Sequence, residues 1–236
     1  MKILSVDTST TSCSVGLIIN MESVAELTTN TGQTHSKLIL SMIDTVLNLV
    51  KISPKDVDAY AVTKGPGSFT GLRIGLSVVK AMALVTQKPV MGISSLDALA
   101  YQCGCEVDRV CALLDARRKE VYIAEYEKNN GLTTRIGEES VGSIDSVLAN
   151  IHCPTLFAGS GAVLYKQQIL SQCGQNAFFP SHTAHAIRAS SVGYLGLKQI
   201  QETPAASLED KNTNVTPSYI RPSDAEINLG RKKKPL

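Results

Sequence analysis

The sequence has little net charge: 23 lysines and arginines stand against 21 aspartates and glutamates in 236 residues, a formal balance of +2. So slight a surplus sets up no overall field for nucleic acid. The basic run from Arg231 to Lys234 reads as a solvated tail. No apolar run reaches the length needed to cross a bilayer. No signal peptide opens the chain, since Asp7 follows only a handful of apolar residues. The six cysteines, at 13, 103, 105, 111, 153 and 173, have no regular spacing. With nothing else to suggest secretion, they are expected to be reduced thiols of a cytoplasmic protein. Cys103-Gly104-Cys105 lacks the second pair or nearby histidines of a structural zinc site. The glycine-rich turns match neither the P-loop nor the dinucleotide fingerprint, so no cofactor is expected.

What is present is an ordinary globular composition, 43% hydrophobic and 19% charged, in a chain long enough to bury a substantial core. It is organised about residues 60–85. Residues 60–63 read as a short strand, which Gly65-Pro66-Gly67 stops. From Thr70 the period becomes helical: Leu72, Leu76, Val79 and Ala83 lie on one face. Gly71, Gly75, Val78 and Met82 repeat that spacing on the neighbouring face. Each helical glycine costs roughly 1 kcal/mol relative to alanine, so two of them one turn apart point to close approach by another helix, hence an interface. The glycine turn itself reads first as a tight strand-to-helix connection and alternatively as an anion cradle.

Along the chain, residues 2–6, 13–19 and 24–29 read as strands. Asp7-Thr8-Ser9 opens the polar turn between the first two. That arrangement resembles the start of actin-like and sugar-kinase-like folds, where the loop meets phosphates and the Asp orients water on a metal. The alternative is a turn that satisfies its own backbone. A helix over residues 34–51 lines Ile39, Ile43, Val46, Leu47 and Val50 on one face. Leu38, Met42 and Leu49 widen its apolar arc beyond one sheet contact. Ser53-Pro54-Lys55-Asp56 reads as a further helix start, residues 89–93 as a strand, and Ser94-Ser95-Leu96-Asp97 as a capped helix start. An α/β lobe with a mixed sheet follows. Beyond it, 109–114 and 121–127 read as strands about a charged turn, with a hairpin closing at Asn129-Asn130-Gly131. A helix is expected over 143–151, a strand over 155–158 ending in Gly159-Ser160-Gly161, and a long helix over 184–201. Residues 202–217 read as a linker and 218–222 as a segment that docks on the body. Beyond Glu226 the chain is expected to fray.

Four motifs are distinctive together: residues 62–75 around Lys64-Gly65-Pro66-Gly67-Ser68-Phe69-Thr70-Gly71; Ser94-Ser95-Leu96-Asp97-Ala98-Leu99-Ala100; Leu114-Asp115-Ala116-Arg117-Arg118-Lys119-Glu120-Val121-Tyr122; and Tyr219-Ile220-Arg221-Pro222-Ser223-Asp224-Ala225-Glu226. On these the chain resembles the TsaB (YeaZ) family of tRNA threonylcarbamoyladenosine proteins, from Lys2 to about Glu226. The resemblance implies an actin/hexokinase-like two-lobed fold with mixed sheets. It implies a non-catalytic scaffold that binds a catalytic relative, TsaD, with the ATPase TsaE joining them. It also implies a homodimer when the chain is alone, tRNA met only through the complex, and no membrane. The catalytic relative carries a His-x-x-x-His metal pair where this chain has Ser95 and Leu99, and leucine supplies no lone pair. His182 and His185 lie far away, at i, i+3.

The lobes are expected at 1–103 and 104–202, with 203–236 as linker, docked segment and tail. The partner surface is expected on Ile39, Met42, Ile43, Val46, Gly71, Leu72, Ile74, Gly75, Val78, Val79 and Met82. Asp7, Thr8 and Ser9 form a possible vestigial phosphate loop. Two rival readings follow from the residues themselves. One is an actin-like ATP-binding enzyme using Asp7. The other is a tRNA-binding module using Arg117, Arg118, Lys119 and the basic tail. The Asp115 to Arg118 turn is open between a solvated hairpin and a partner or substrate contact.

Overall fold

Side-chain alternation along the first strand sets the layering. The computed structural model describes residues 1–104, 107–129, 131–204 and 214–221. Strand β1 (Lys2–Asp7) sends Leu4 and Val6 to one face and Ile3, Ser5 and Asp7 to the other, all fully buried, so neither face of this central strand meets water. β2 (Cys13–Ile19) and β3 (Glu22–Thr29) extend the sheet antiparallel on one side. β4 (Ala59–Gly65) and β5 (Val90–Ser94) extend it parallel on the other, in the order β3-β2-β1-β4-β5. Parallel strands need crossover connections, and α1 (His35–Leu49) and α2 (Phe69–Thr86) lie in them. Both cover the Leu4/Val6 face, where Val15, Leu17, Tyr60 and Val62 meet Ile39, Ile43, Val46, Leu76 and Val79.

A second sheet, β10-β9-β6-β7-β8, is built from β6 (Arg109–Arg117), β7 (Glu120–Asn129), β8 (Leu132–Ser143), β9 (Thr155–Ala158) and β10 (Ala177–Phe178). Helices α4 (Ile144–Leu148), α5 (Ser160–Leu164) and α6 (Lys166–Cys173) cover its outer face over Leu113, Val121 and Phe157. Between the two sheets lie α3 (Ser95–Tyr101) and α7 (Ala189–Glu202), in one apolar core that takes Ile3, Ala61 and Met91 from the first sheet and Ala112, Leu114 and Tyr126 from the second. The first half therefore follows the expected order of strands and helices.

Several expectations need correction. Ser53 to Asp56 makes a single 3-10 turn over Pro54–Asp56, closed by Asp56 Oδ2 accepting from Ser53 N and Oγ at 2.8 and 2.7 Å, and does not continue as a helix. The long helix starts at Ala189, not at 184, because His182–His185 form a separate 3-10 turn. The helix expected over 143–151 shortens to α4, and α5 and α6 were not foreseen. α7, which the expected lobe boundary between 103 and 104 puts with the second lobe, packs on β1, β2, β4 and β5 of the first sheet. Small residues permit this: a Cβ at Gly196 would lie 2.7 Å from that of Ala61. Nor are all apolar stretches too short to span a bilayer. α2 has 18 residues and a mean hydropathy of 1.4, enough by length and composition. Its Leu76, Val79 and Ala83 pack into the core beneath the sheet, and Leu72 is fully buried. Cys105, Asn130, Pro222 and the tail from Arg231 lie outside the described residues, as does the stretch beyond Glu226.

The β6–β7 connection is conformationally unusual. Arg117 pairs with Glu120 across a two-residue turn, and Arg117, Arg118 and Lys119 have φ of 61°, 53° and 65°. Left-handed backbone costs a non-glycine residue about 1–2 kcal/mol, part of which glycine would return to its greater freedom when unfolded. Lys119→Gly should therefore raise stability by about 0.5–1 kcal/mol, read as an increased urea midpoint with unchanged slope. A lowered midpoint would mean that the turn is not strained.

Candidate functional site: the Asp7 loop and the two-helix groove

The carboxylate of Asp7 is fully buried at the end of β1. Its Oδ1 accepts from Ser9 N (3.1 Å), Ser9 Oγ (2.6 Å) and Thr63 Oγ1 (2.8 Å), while Oδ2 is buried with no partner among the described residues. Thr63 escaped the sequence reading, although period-2 alternation places it with Ala59 and Ala61 on the face of β4 that adjoins Ser5 and Asp7. Burial raises the Asp7 pKa above the ordinary carboxylate value, and the hydrogen bonds from Ser9 and Thr63 oppose that rise.

The loop after Asp7 is seated on α2. Thr8 Oγ1 donates to Gly71 O at 2.8 Å, and Ser9 O accepts from Ser68 N at 2.7 Å. A Cβ at Gly71 would lie 2.0 Å from Thr8 O, and one at Gly75 2.3 Å from Thr8 Oγ1. The close approach expected of these glycines is therefore made by the chain's own loop and not by a partner helix. Gly67 is filled in the same way, by Ser9 O at 2.3 Å from a hypothetical Cβ. Ser68 caps α2 by accepting from Gly71 N at 3.2 Å. The N–H groups of Ser9 and Ser68 that an anion would use are occupied within the chain, which favours the tight-turn reading over the cradle.

Ile39, Met42, Ile43, Val46, Leu72 and Val79 are likewise buried in the core, so of the expected partner residues only Ile74, Val78 and Met82 retain exposure. What sequence reading missed is a second stripe on α2. Ile74, Val78, Ala81 and Val85 repeat the spacing of the core stripe two residues later, about 200° around the helix. Val85 is 80% exposed, Leu84 beside it 69%, and Leu40 on α1 61%. Between α1 and α2 runs a groove of about 500 Å³ whose lining includes Ile39, Leu40, Phe69, Arg73, Ile74 and Val78. The segment expected to dock does so at its rim. Tyr219 stacks on Phe69 at 4.8 Å and accepts from Arg73 Nε at 3.0 Å; Ser218 N donates to Lys64 O at 2.7 Å. Arg221 carries the strap to the second sheet, reaching Ala116 O at 3.1 Å and Glu120 at 2.9 Å.

Comparison with known proteins decides the family. Residues 24–229 match a family model described as TsaD, tRNA N6-adenosine threonylcarbamoyltransferase. The chain is similar to the tRNA threonylcarbamoyladenosine biosynthesis protein TsaB of Bacillus subtilis, at 31% identity over 99% of this chain and 100% of that protein. It belongs to the TsaB family. A Pseudomonas aeruginosa structure described as similar to the peptidase YeaZ superposes with a TM-score of 0.78 at 28% identity, covering 93% of this chain and 99% of that one. A ROK hexokinase from Thermus thermophilus shares the fold alone, with a TM-score of 0.50 at 10% identity over 84% of this chain and all of that one. The architecture is thus the actin/hexokinase-like one.

In this TsaB-family chain the α3 positions that the resemblance gives to metal-binding histidines are both buried. Leu99 is a core residue, and Ser95 Oγ has no hydrogen-bond partner among the described residues. A leucine and a lone hydroxyl do not fit a divalent cation. Neighbouring polar groups serve another purpose. Ser94 Oγ caps α3 and donates to Glu139 of β8; Arg135 bridges Glu139 (2.5 Å) and Asp97 (3.7 Å), and Tyr126 Oη donates to Asp97 at 2.8 Å. This network lies on the wall of a polar cleft of about 530 Å³ that also takes Lys64, Lys198 and Gln199. His185 Nδ1 accepts from Gly159 N at 3.2 Å, and burial lowers the pKa of its ring. Among the described residues no three His, Cys, Asp or Glu gather into a metal site. Five cysteines there are unpaired, and burial pushes the Cys13 and Cys103 thiols up to about 11.

The sign of the Asp7 shift has a measurable consequence. A folded pKa above the unfolded one means the native state binds the extra proton, so this group's contribution to stability falls as pH rises from the ordinary carboxylate value through the folded one. Asp7→Asn keeps the acceptor for Ser9 and Thr63 and removes the titration. Urea unfolding should show the variant more stable than wild type at pH 8, with the difference shrinking toward pH 3. A wild-type advantage that grows with pH would mean the ionised carboxylate is a stabilising group.

Proposed function

We propose that this chain is a non-catalytic subunit in tRNA threonylcarbamoyladenosine biosynthesis, acting in the cytoplasm as a scaffold for a TsaD-like catalytic relative with a TsaE-like ATPase. Its partner surface is the outer face of α2 with the α1–α2 groove, and the isolated chain pairs with itself through the same face. tRNA is met only through the complex. The observation that carries this reading is that α2 is apolar on two opposite faces. One stripe fills the core. The other, Ile74, Val78, Ala81 and Val85, continues into exposed Leu84 and the groove wall. Contiguous apolar surface of this kind marks a protein contact, and helix faces of this composition form the interiors of lasting interfaces. The non-catalytic part of the reading is supported by Ser95 and Leu99 at the ligand positions and by an Asp7 carboxylate closed off by Ser9 and Thr63.

Val78→Glu, alone or with Met82→Glu, places a charge where the partner's apolar side chains would sit. Co-purification with the catalytic relative should weaken at least tenfold, a loss of about 1.4 kcal/mol or more, and the isolated variant should run as a monomer. Its urea midpoint should stay close to wild type, whereas Leu76→Glu, on the core stripe, should unfold the chain. Stoichiometric co-purification of Val78→Glu would overturn the assignment of this face.

A further inference from the structure

The strained turn between β6 and β7 is absorbed neither by the core nor by the helical face. Its three consecutive left-handed residues are Arg117, Arg118 and Lys119, all exposed. A two-residue hairpin with both central residues at positive φ ordinarily takes Asn-Gly or Gly-Gly, and here bulky cations hold the positions instead. Backbone strain of this kind is kept where the surroundings impose it, and it points to function when observed. The surroundings do impose it. Arg117 N donates to Asp115 Oδ1 at 2.8 Å, Asp115 N donates to Ser160 Oγ at 3.0 Å, and Arg221 clamps Ala116 O and Glu120. Arg221 takes up Glu120, and Asp115 accepts from the backbone of Arg117, while the Arg117 and Lys119 side chains are exposed. The result is a stiff, locally cationic knuckle on a chain whose overall charge is close to zero.

We infer that this turn, through Arg117 and Lys119, contacts the phosphate backbone of RNA. The inference rests on the proposed role in tRNA modification, which supplies the polyanion. Arginine and lysine bind phosphate by charge-assisted hydrogen bonds, and such contacts position an RNA without reading its sequence. Because the turn is rigid, binding does not first have to order it. The second class of anion that would fit, an acidic protein surface, predicts a different pattern and is separated by the test.

The experiment measures tRNA affinity of the assembled complex against salt concentration, comparing wild type with the double variant Arg117→Ala, Lys119→Ala. Alanine keeps a side chain at both left-handed positions, so charge changes while strain does not. Losing two phosphate contacts should lower the slope of log K against log salt by about 1.4–1.8, while complex assembly and urea midpoint stay unchanged. The charge-preserving pair Arg117→Lys, Lys119→Arg should keep the wild-type slope. An unaltered slope in the alanine variant overturns the inference and leaves the scaffold role standing. Loss of assembly with unchanged tRNA affinity of what remains also overturns it, in favour of a protein contact. If wild type does not assemble at all, it is the scaffold reading that fails. The turn is then judged by low-salt fluorescence anisotropy of the isolated chain with tRNA, where equal binding by wild type and variant rejects it and weaker binding by the variant upholds it.

Discussion

The seating of the Asp7 loop on α2 is the contact on which the first half of the molecule depends. β1 is the centre of its sheet and is buried on both faces, so the polar residues that follow it must find partners inside the protein or leave donors stranded. They find them at one place: Thr8 on the carbonyl of Gly71, Ser9 on Ser68, and Asp7 on Thr63. The glycines at 71 and 75 make room for this, because any side chain there would overlap Thr8. That joint fixes where α2 starts and how it lies on the sheet, and so determines which α2 residues face outward.

The same joint bears on nucleotide chemistry. A turn of Asp and hydroxyls beside a glycine-rich helix start has the composition of a phosphate site. Here the N–H groups of Ser9 and Ser68 are consumed internally, and one carboxylate oxygen of Asp7 is buried without a partner among the described residues. An ionised, unpartnered oxygen at such a site is costly, which is why the pKa rises.

Much of this fold is legible in the sequence wherever one period dominates. The change from alternation to a 3.6-residue repeat at Thr70 marks α2 within a residue, and the strand over 155–158 is placed to the residue. β8 was not delimited because its residues are polar on both faces. It is an edge strand whose members are mostly exposed, with Gly137 at φ 74°, so no hydrophobic pattern registers it. α5 and α6 escaped because together they span only residues 160–173, broken at Tyr165. The site was harder to read for a different reason. Periodicity says that Gly71 and Gly75 admit a close neighbour but not whether it belongs to the same chain. It likewise cannot tell which of two apolar stripes on α2 the sheet will claim. Those choices are made by the Thr8 contact, between residues more than sixty positions apart.

Two polar ties join the two sheets beside the apolar core between them. On the cleft side, Ser94, Asp97, Arg135, Glu139 and Tyr126 bind β8 of the second sheet to the cap of α3 beneath the first. On the groove side, the strap runs from Lys64 and Arg73 through Tyr219 to Arg221 on the β6–β7 turn. Hydrophobic contacts between layers tolerate sliding, since apolar burial has no direction. Hydrogen bonds and ion pairs of defined geometry do not. Both ties border the polar cleft, whose lining includes Ser94, Asp97, Arg135 and Glu139 on one tie and Lys64, Ser218 and Ile220 on the other.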